Sequence, residues 1–306
     1  MTGQIENIRA LLAARNETGE RPTGVPEMRK SMGEFTSAFQ IPAGVTLTET
    51  ELAGVKGLRL TPERPEPGAV LLYFHGGGYV LGSPLTHRSL VGHLARLSGI
   101  EAASMDYRLA PEAPFPAAVE DGVACYQGLL DNGIAPGRII IGGDSAGGGL
   151  TLATAVKARD TGLPMPAGLV LISPWTDLTQ AGWSHDTQAD KDPMVSRDGL
   201  EALAALYLDG TPASDSLASP GFADLEGLPP MLIQVGSDEV LLTDSTELAG
   251  RAGAARIEVT LEIWPKMVHV FQMFHDMLDD AQAANLRIGQ WIRQRLGLAP
   301  LTLPRQ

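Results

Sequence analysis

The residues best suited to chemistry are Gly143-Asp144-Ser145-Ala146-Gly147 and His75-Gly76-Gly77-Gly78. A serine hydroxyl is a poor nucleophile until a neighbouring base takes its proton. The chain around Ser145 provides a turn that would present it: Ile139-Ile140-Ile141 reads as a buried strand and the Ala/Leu-rich stretch 150–158 as a helix. G-x-S-x-G on a strand-to-helix turn is the context of a nucleophile elbow, in which side chains at Gly143 and Gly147 would collide with the flanking elements. Alone, the pentapeptide also fits an ordinary glycine-rich βα turn. The second stretch adds three glycines after Val70-Leu71-Leu72-Tyr73-Phe74, an apolar run that reads as a strand. Consecutive glycines let the backbone approach a ligand and turn N–H groups toward one point, as an oxyanion hole requires. A phosphate cradle is the rival use. Neither cluster runs into the Lys-[Ser/Thr] of a phosphate-binding loop, and a dinucleotide fingerprint would need glycine where Leu81 and Leu152 stand.

Such residues need a large scaffold. At 306 residues the chain can bury one big α/β domain, or a domain with a subdomain, and 44% hydrophobic residues with 35 Gly and 22 Pro suit a globular protein with many tight loops. A net charge of −13 argues against a nucleic-acid binder, which needs a basic stripe. The lone Cys125 excludes an intrachain disulfide, fits a reducing compartment and sits among apolar neighbours as a packing residue. No stretch approaches the roughly 20 apolar residues of a membrane span. The start of the sequence lacks a basic segment followed by an apolar core, so a cytoplasmic location is expected.

The elements follow in an order that defines the architecture. Residues 1–40 read as two partly amphipathic helices, with Ile5, Ile8, Leu11 and Leu12 at helical spacing in the first and Met28, Met32, Phe35 and Phe39 on one face of the second. Strands are expected at 45–51, 55–61 and 69–74, then helices and strands alternate: 86–98, 101–107, 115–132, 138–142, the elbow helix and 168–172. A strand at 231–235, a helix at 241–253, a strand at 257–263 and a closing helix at 271–296 complete the chain. Such alternation predicts an α/β fold with a mostly parallel sheet and helices on both faces, its first strands antiparallel. Residues 176–222 interrupt the pattern with a helical segment at 196–208 and no convincing strand, as expected of a lid inserted above the sheet. His185, Asp186, Asp190 and Asp192 within it match no common metal spacing and read as a solvated polar loop.

With Asp-Tyr-Arg-Leu-Ala-Pro-Glu at 106–112 and Gly-Asp-Ser-Ala-Gly-Gly at 143–148, the sequence resembles the bacterial hormone-sensitive-lipase-like esterases, a branch of the α/β-hydrolases. The motifs lie in the family's order across residues 65–296. Tyr79, where Phe or Trp is common, and Ala113, where His is common, depart from its pattern. The resemblance implies a catalytic domain of residues 41–175 and 223–306, capped by an arm, 1–40, and an insertion, 176–222. It also implies the triad order Ser, acid, His. The acid should follow the strand 231–235, where Asp238 is the choice, in agreement with the family's pattern, over Glu239 and Asp244. The base should follow the strand 257–263, where His269 stands; His275 falls inside the closing helix, and His87, His93 and His185 precede the acid. The Gly77, Gly78 and Ala146 amides are the expected oxyanion donors, though a shift to Gly76 stays open, and Tyr79 is a candidate substrate contact. His75 is expected to orient the glycine loop. The expected activity is hydrolysis of short-to-medium acyl carboxylic esters through an acyl-enzyme on Ser145, without metal or cofactor. A non-catalytic small-molecule binder on the same fold, an amidase and a lipase are the alternatives. The final strand, 257–263, is expected at a sheet edge and as a homodimer contact.

Overall fold

The computed structural model describes residues 2–18 and 24–301. Two helices lead, α1 (Thr2–Thr18) and α2 (Val25–Ser37), followed by strands β1 (Val45–Leu52), β2 (Val55–Pro62) and β3 (Val70–Phe74). Helix α3 (Arg88–Ser98), β4 (Glu101–Met105), α4 (Ala117–Asp131), β5 (Ile139–Asp144), α5 (Ala146–Asp160) and β6 (Gly168–Ile172) then alternate. The interval after β6 holds α6 (Ser184–Thr187) and α7 (Arg197–Leu208), with no strand among the described residues. Strand β7 (Met231–Gly236), α8 (Leu242–Ala254), β8 (Val259–Trp264) and α9 (Asp279–Arg295) close the fold.

One eight-stranded sheet runs in the order β1-β2-β4-β3-β5-β6-β7-β8. Its members from β4 to β8 pair in parallel, while β1–β2 and β2–β4 are antiparallel. The central strands are buried on both faces, which is why β3, β5 and β6 read as continuous apolar runs rather than alternating ones. Period-two geometry sorts them into two layers. Leu72, Phe74, Ile139 and Ile141 pack toward α4 and α5, whereas Leu71, Tyr73, Ile140 and Val170 pack toward α3 and α9.

The arm joins the second layer. Ile5, Ile8 and Leu12 of α1 are buried in it with Met267, Val268 and Phe271, so they form a working helical face. Leu11, expected on that face, is 40% exposed, lying a third of a turn away from Ile5. Phe39, just beyond α2, stacks edge-on against Phe35 and Phe274. The closing helix starts later than expected. Phe271, Met273 and Phe274 are buried on every side in a short 3-10 turn, a requirement that a one-stripe amphipathic helix cannot meet, and α9 begins only at Asp279. His275 therefore lies ahead of that helix, stacked on His93 with ring centroids 4.1 Å apart.

Candidate active site

Every candidate group lies where a strand ends at the carboxyl edge of the sheet. The elbow takes its form from β5 passing directly into α5. Ser145 has φ 54° and ψ −122°, a conformation side chains rarely adopt, and backbone bonds hold it: its N–H donates to Ile172 O at 2.8 Å and its carbonyl accepts Trp175 N–H at 2.9 Å. A Cβ at Gly143 would overlap Gly147 O, and one at Gly147 would overlap Phe74 O, so both positions demand glycine. Ser145 opens onto a cavity of about 350 Å³. Met28, Met32 and Phe35 of α2, together with Met194, Leu200 and Leu203 of the insertion, give it apolar walls.

Gly77 and Gly78 line the same cavity in left-handed backbone conformations, φ 119° and 63°. Their amides and that of Ala146 donate to no protein acceptor among the described residues. Gly76 does not line the cavity, and a Cβ there would collide with the Asp144 carboxylate. His75 supports the loop from below: its ring donates through Nδ1 to Gly76 O at 2.8 Å and stacks on Tyr107 at 4.4 Å. Burial, reinforced by the nearby His87, lowers its pKa to about 3, so it stays neutral.

His269 also lines the cavity. Its Nδ1 lies 2.8 Å from Glu239 Oε2, which fixes the tautomer and leaves Nε2 for the cavity. The other Glu239 oxygen accepts the Ser173 hydroxyl at 2.8 Å and the Gly236 amide, so the carboxylate, 0% exposed, is held at both oxygens. Burial disfavours a charged His269 ring. The Glu239 hydrogen bond and charge outweigh that, with Asp192 and Asp144 adding to them, and the ring's pKa lies above the usual 6.5.

Asp238 does not meet His269. Its Oδ2 pairs with Arg9 Nη2 at 2.6 Å and its Oδ1 accepts the Ser237 hydroxyl at 2.9 Å. The turn after β7 sends adjacent side chains opposite ways: Asp238, its amide tied to Met267 O, points out toward the arm, and Glu239 points in beneath the ring. Asp244, the third carboxylate weighed, accepts the Thr176 and Asp177 amides at the start of the insertion. Tyr79 does not line the cavity either. It lies flat on Tyr207 of α7, centroids 3.9 Å apart, and fastens the insertion to the sheet domain.

Two contributors carry no motif. Ser173, at the end of β6, donates to Glu239 and accepts the Val270 amide at 3.2 Å, which ties the acid to the histidine loop. Asp192, expected in a solvated loop, is buried and accepts the Met194, Val195 and Val240 amides. His185 is buried as well. Only the apolar Val240-Leu241 immediately after Glu239 hinted in the sequence that the second carboxylate faces inward.

The arrangement has counterparts among known proteins. Residues 71–273 match the model of an alpha/beta hydrolase fold family. An acetyl-hydrolase of Streptomyces hygroscopicus is 46% identical over 232 residues, 76% of this chain and 78% of the relative. Among solved structures, an esterase from the bacterial hormone-sensitive lipase family superposes with a TM-score of 0.94 at 40% identity, covering 96% of this chain and 99% of that one. EstE5, whose crystals were soaked with p-nitrophenyl butyrate, superposes with a TM-score of 0.91 at 46% identity over 96% of this chain and 99% of its own. No helix among the described residues is long and apolar enough to cross a membrane. The chain belongs to the α/β-hydrolase family, in its bacterial hormone-sensitive-lipase branch, and is a carboxylic ester hydrolase.

Proposed function

We propose that the protein hydrolyses short-to-medium acyl carboxylic esters through an acyl-enzyme on Ser145, with Glu239 rather than Asp238 as the acid partner of His269. The observation that carries this reading is the Glu239–His269 hydrogen bond, 2.8 Å, beside a cavity that Ser145 shares. His269 Nε2 takes the Ser145 proton as Oγ attacks the ester carbonyl, and Glu239 steadies the imidazolium that forms. The Gly77, Gly78 and Ala146 amides receive the oxyanion. His269 then protonates the departing alcohol, and in the second half-reaction activates the water that releases the acid. The described residues of 1–40 and 176–222 form the cap over those of the catalytic domain, 41–175 and 223–306; residues 1, 19–23 and 302–306 lie outside the described residues. The support for the acyl range is the short, apolar space walled by α2 and the insertion.

A serine-directed organophosphate should label Ser145 alone, and Ser145→Ala should lose about 10⁴-fold or more in kcat while staying folded. Rates across p-nitrophenyl esters should fall beyond medium acyl lengths. Label on another serine, or retained turnover in the alanine variant, contradicts the mechanism.

The proposal extends to a homodimer through β8. That strand is one edge of the sheet, and the charges that could guard it are already engaged: Glu258, just before it, pairs with Arg295 and Glu262 with Arg287, both at 2.9 Å. Sedimentation at micromolar concentration should show a dimer that Val259→Pro weakens; a wild-type monomer contradicts it. A cytoplasmic location belongs to the same proposal, supported by the lone, buried thiol of Cys125.

A further inference from the structure

The loop that carries His269 is conformationally expensive. Lys266 and Val270, three residues before and one after the ring, both sit in the left-handed region, φ 65° and 49°. Neither is glycine, and such residues persist only where their surroundings over-determine them. At the Val270 end the constraint is the Ser173 hydroxyl, which accepts its amide. At the Lys266 end it is Arg9, reaching in from the arm.

Arg9 follows Ile5 by one helical turn, so burying Ile5, Ile8 and Leu12 brings its side chain to the edge of the same face. Its guanidinium makes three bonds. Nη1 donates to Lys191 O at 2.7 Å, and Nη2 donates to Asp238 Oδ2 at 2.6 Å and to Lys266 O at 3.0 Å. Each acceptor belongs to a different loop, and each loop holds a group packed around the imidazole. Lys191 precedes Asp192, whose carboxylate takes the amide of Val240. Asp238 precedes Glu239. Lys266 opens the loop to His269. The ring closes through Ser237, whose hydroxyl donates to Asp238 Oδ1 at 2.9 Å and accepts the Lys266 amide at 2.8 Å.

We propose that Arg9 is a positioning residue for the ester-hydrolysing reaction: by tying the loops of Asp192, Glu239 and His269 to one guanidinium, it makes the geometry of the His269–Glu239 pair depend on the docking of the arm. The inference rests on the reading of Glu239 and His269 as the working acid–base pair. It assigns a task to the carboxylate that does not reach the ring, since Asp238 holds the arginine that holds the loop. A planar fork with several donors suits three acceptors at once, and a lysine ammonium would satisfy only part of the set. The pair is partly exposed, side chains 22% and 18%, so its direct contribution to stability is small and its effect on orientation is the larger one.

The test compares Arg9→Met, Asp238→Asn and Arg9→Lys on p-nitrophenyl butyrate, reading kcat, KM, the pH profile and Tm. Arg9→Met should lower kcat about tenfold with KM changed less than about twofold, because misplacing a catalytic group costs turnover more than ground-state binding. The acid limb of kcat/KM should move to lower pH, as His269 loses part of the Glu239 bond that keeps it basic. Asp238→Asn, nearly isosteric, should reproduce both effects even if the arginine variant fails to fold. The double variant should be no worse than either single one, and Arg9→Lys should recover part of the rate. Wild-type kcat and an unmoved acid limb in Asp238→Asn, with only Tm lowered, overturns the inference. Glu239→Gln separates the two layers. If it collapses turnover while Asp238→Asn keeps wild-type kcat and an unmoved acid limb, the Arg9 inference alone fails; if it leaves turnover intact, the reading beneath it fails.

Discussion

Two buried carboxylate–imidazole pairs flank Ser145: Glu239 with His269, and Asp144 with His87. All four residues but Glu239 line the cavity, and both imidazoles have pKa values above the usual 6.5. They differ in what the rings have left to offer. His269 uses Nδ1 for Glu239 and keeps Nε2 for the cavity. His87 uses both nitrogens: Nε2 lies 3.2 Å from Asp144 Oδ2, and Nδ1 lies 2.8 Å from Thr86 Oγ1. The Thr86 hydroxyl also reaches Ser83 O at 2.8 Å, so both His87 nitrogens are engaged and neither is left for the cavity. Asp144 is likewise closed, with the Tyr73 hydroxyl donating to its Oδ1 at 2.8 Å. One pair has a free lone pair and can move protons. The other locks the floor of the site where β3 and β5 end.

Substitutions should separate these tasks. His269→Gln should stay folded and lose roughly 10⁴-fold or more in kcat, measured with p-nitrophenyl butyrate under saturating conditions. His87→Phe should do the reverse. Leaving Asp144 buried without its counter-charge costs about 3–5 kcal/mol, read as a lower denaturation midpoint, while the folded fraction keeps turnover within about tenfold of wild type. Adding Asp144→Asn to His87→Phe should recover much of that stability. A stable but inactive His87→Phe would merge the two pairs into one machine.

The pairs also predict pH behaviour. For His87, burial disfavours charge but Asp144 outweighs it, and the raised pKa means its stabilisation is full below about 6.5 and fades as pH rises through the folded value. For Asp144, burial is likewise outweighed, by His87 and Tyr73, so its lowered pKa gives stability that is lost only as pH falls through that value. Unfolding melts in His87→Phe should therefore show a smaller alkaline decline than the wild type, the share of His269 remaining. On the acid side the buried His75 and His93 dominate. Burial holds both near a pKa of about 3, with His87 and His275 respectively adding to it, so stability falls as pH drops below about 6.5. The smallest effect is kinetic: in the proposed mechanism only neutral His269 accepts the Ser145 proton, so the acid limb of kcat/KM should lie above pH 6.5.

The elbow and the glycine loop were legible because their chemistry demands glycine at close contacts, and glycine at fixed spacing survives in one dimension. The sheet was legible for a similar reason, since strands buried on both faces write themselves as apolar runs. The acid is harder to read: the structure turns Asp238 to Arg9 and brings Glu239 to His269. Asp238 and Glu239 share a turn and a charge, and only the packing of β6, through Ser173, and of the arm, through Arg9, decides which of them faces the ring. For Tyr79, its place after the glycines points to the substrate, but Tyr207, 128 positions later, lies flat on its face. Arg9 was invisible for the same reason as Ser173. Each works through loops distant in sequence, and no local spacing records such contacts.

The assignment of the acid is the central claim, and paired kinetics test it most directly. Glu239→Gln and Asp238→Asn should be assayed side by side on one p-nitrophenyl ester, with folding checked by circular dichroism. Glu239→Gln should leave His269 in the wrong tautomer and lose roughly 10⁴-fold in kcat, against about tenfold for Asp238→Asn. The reverse order, with Asp238→Asn nearly dead and Glu239→Gln active, would contradict the account.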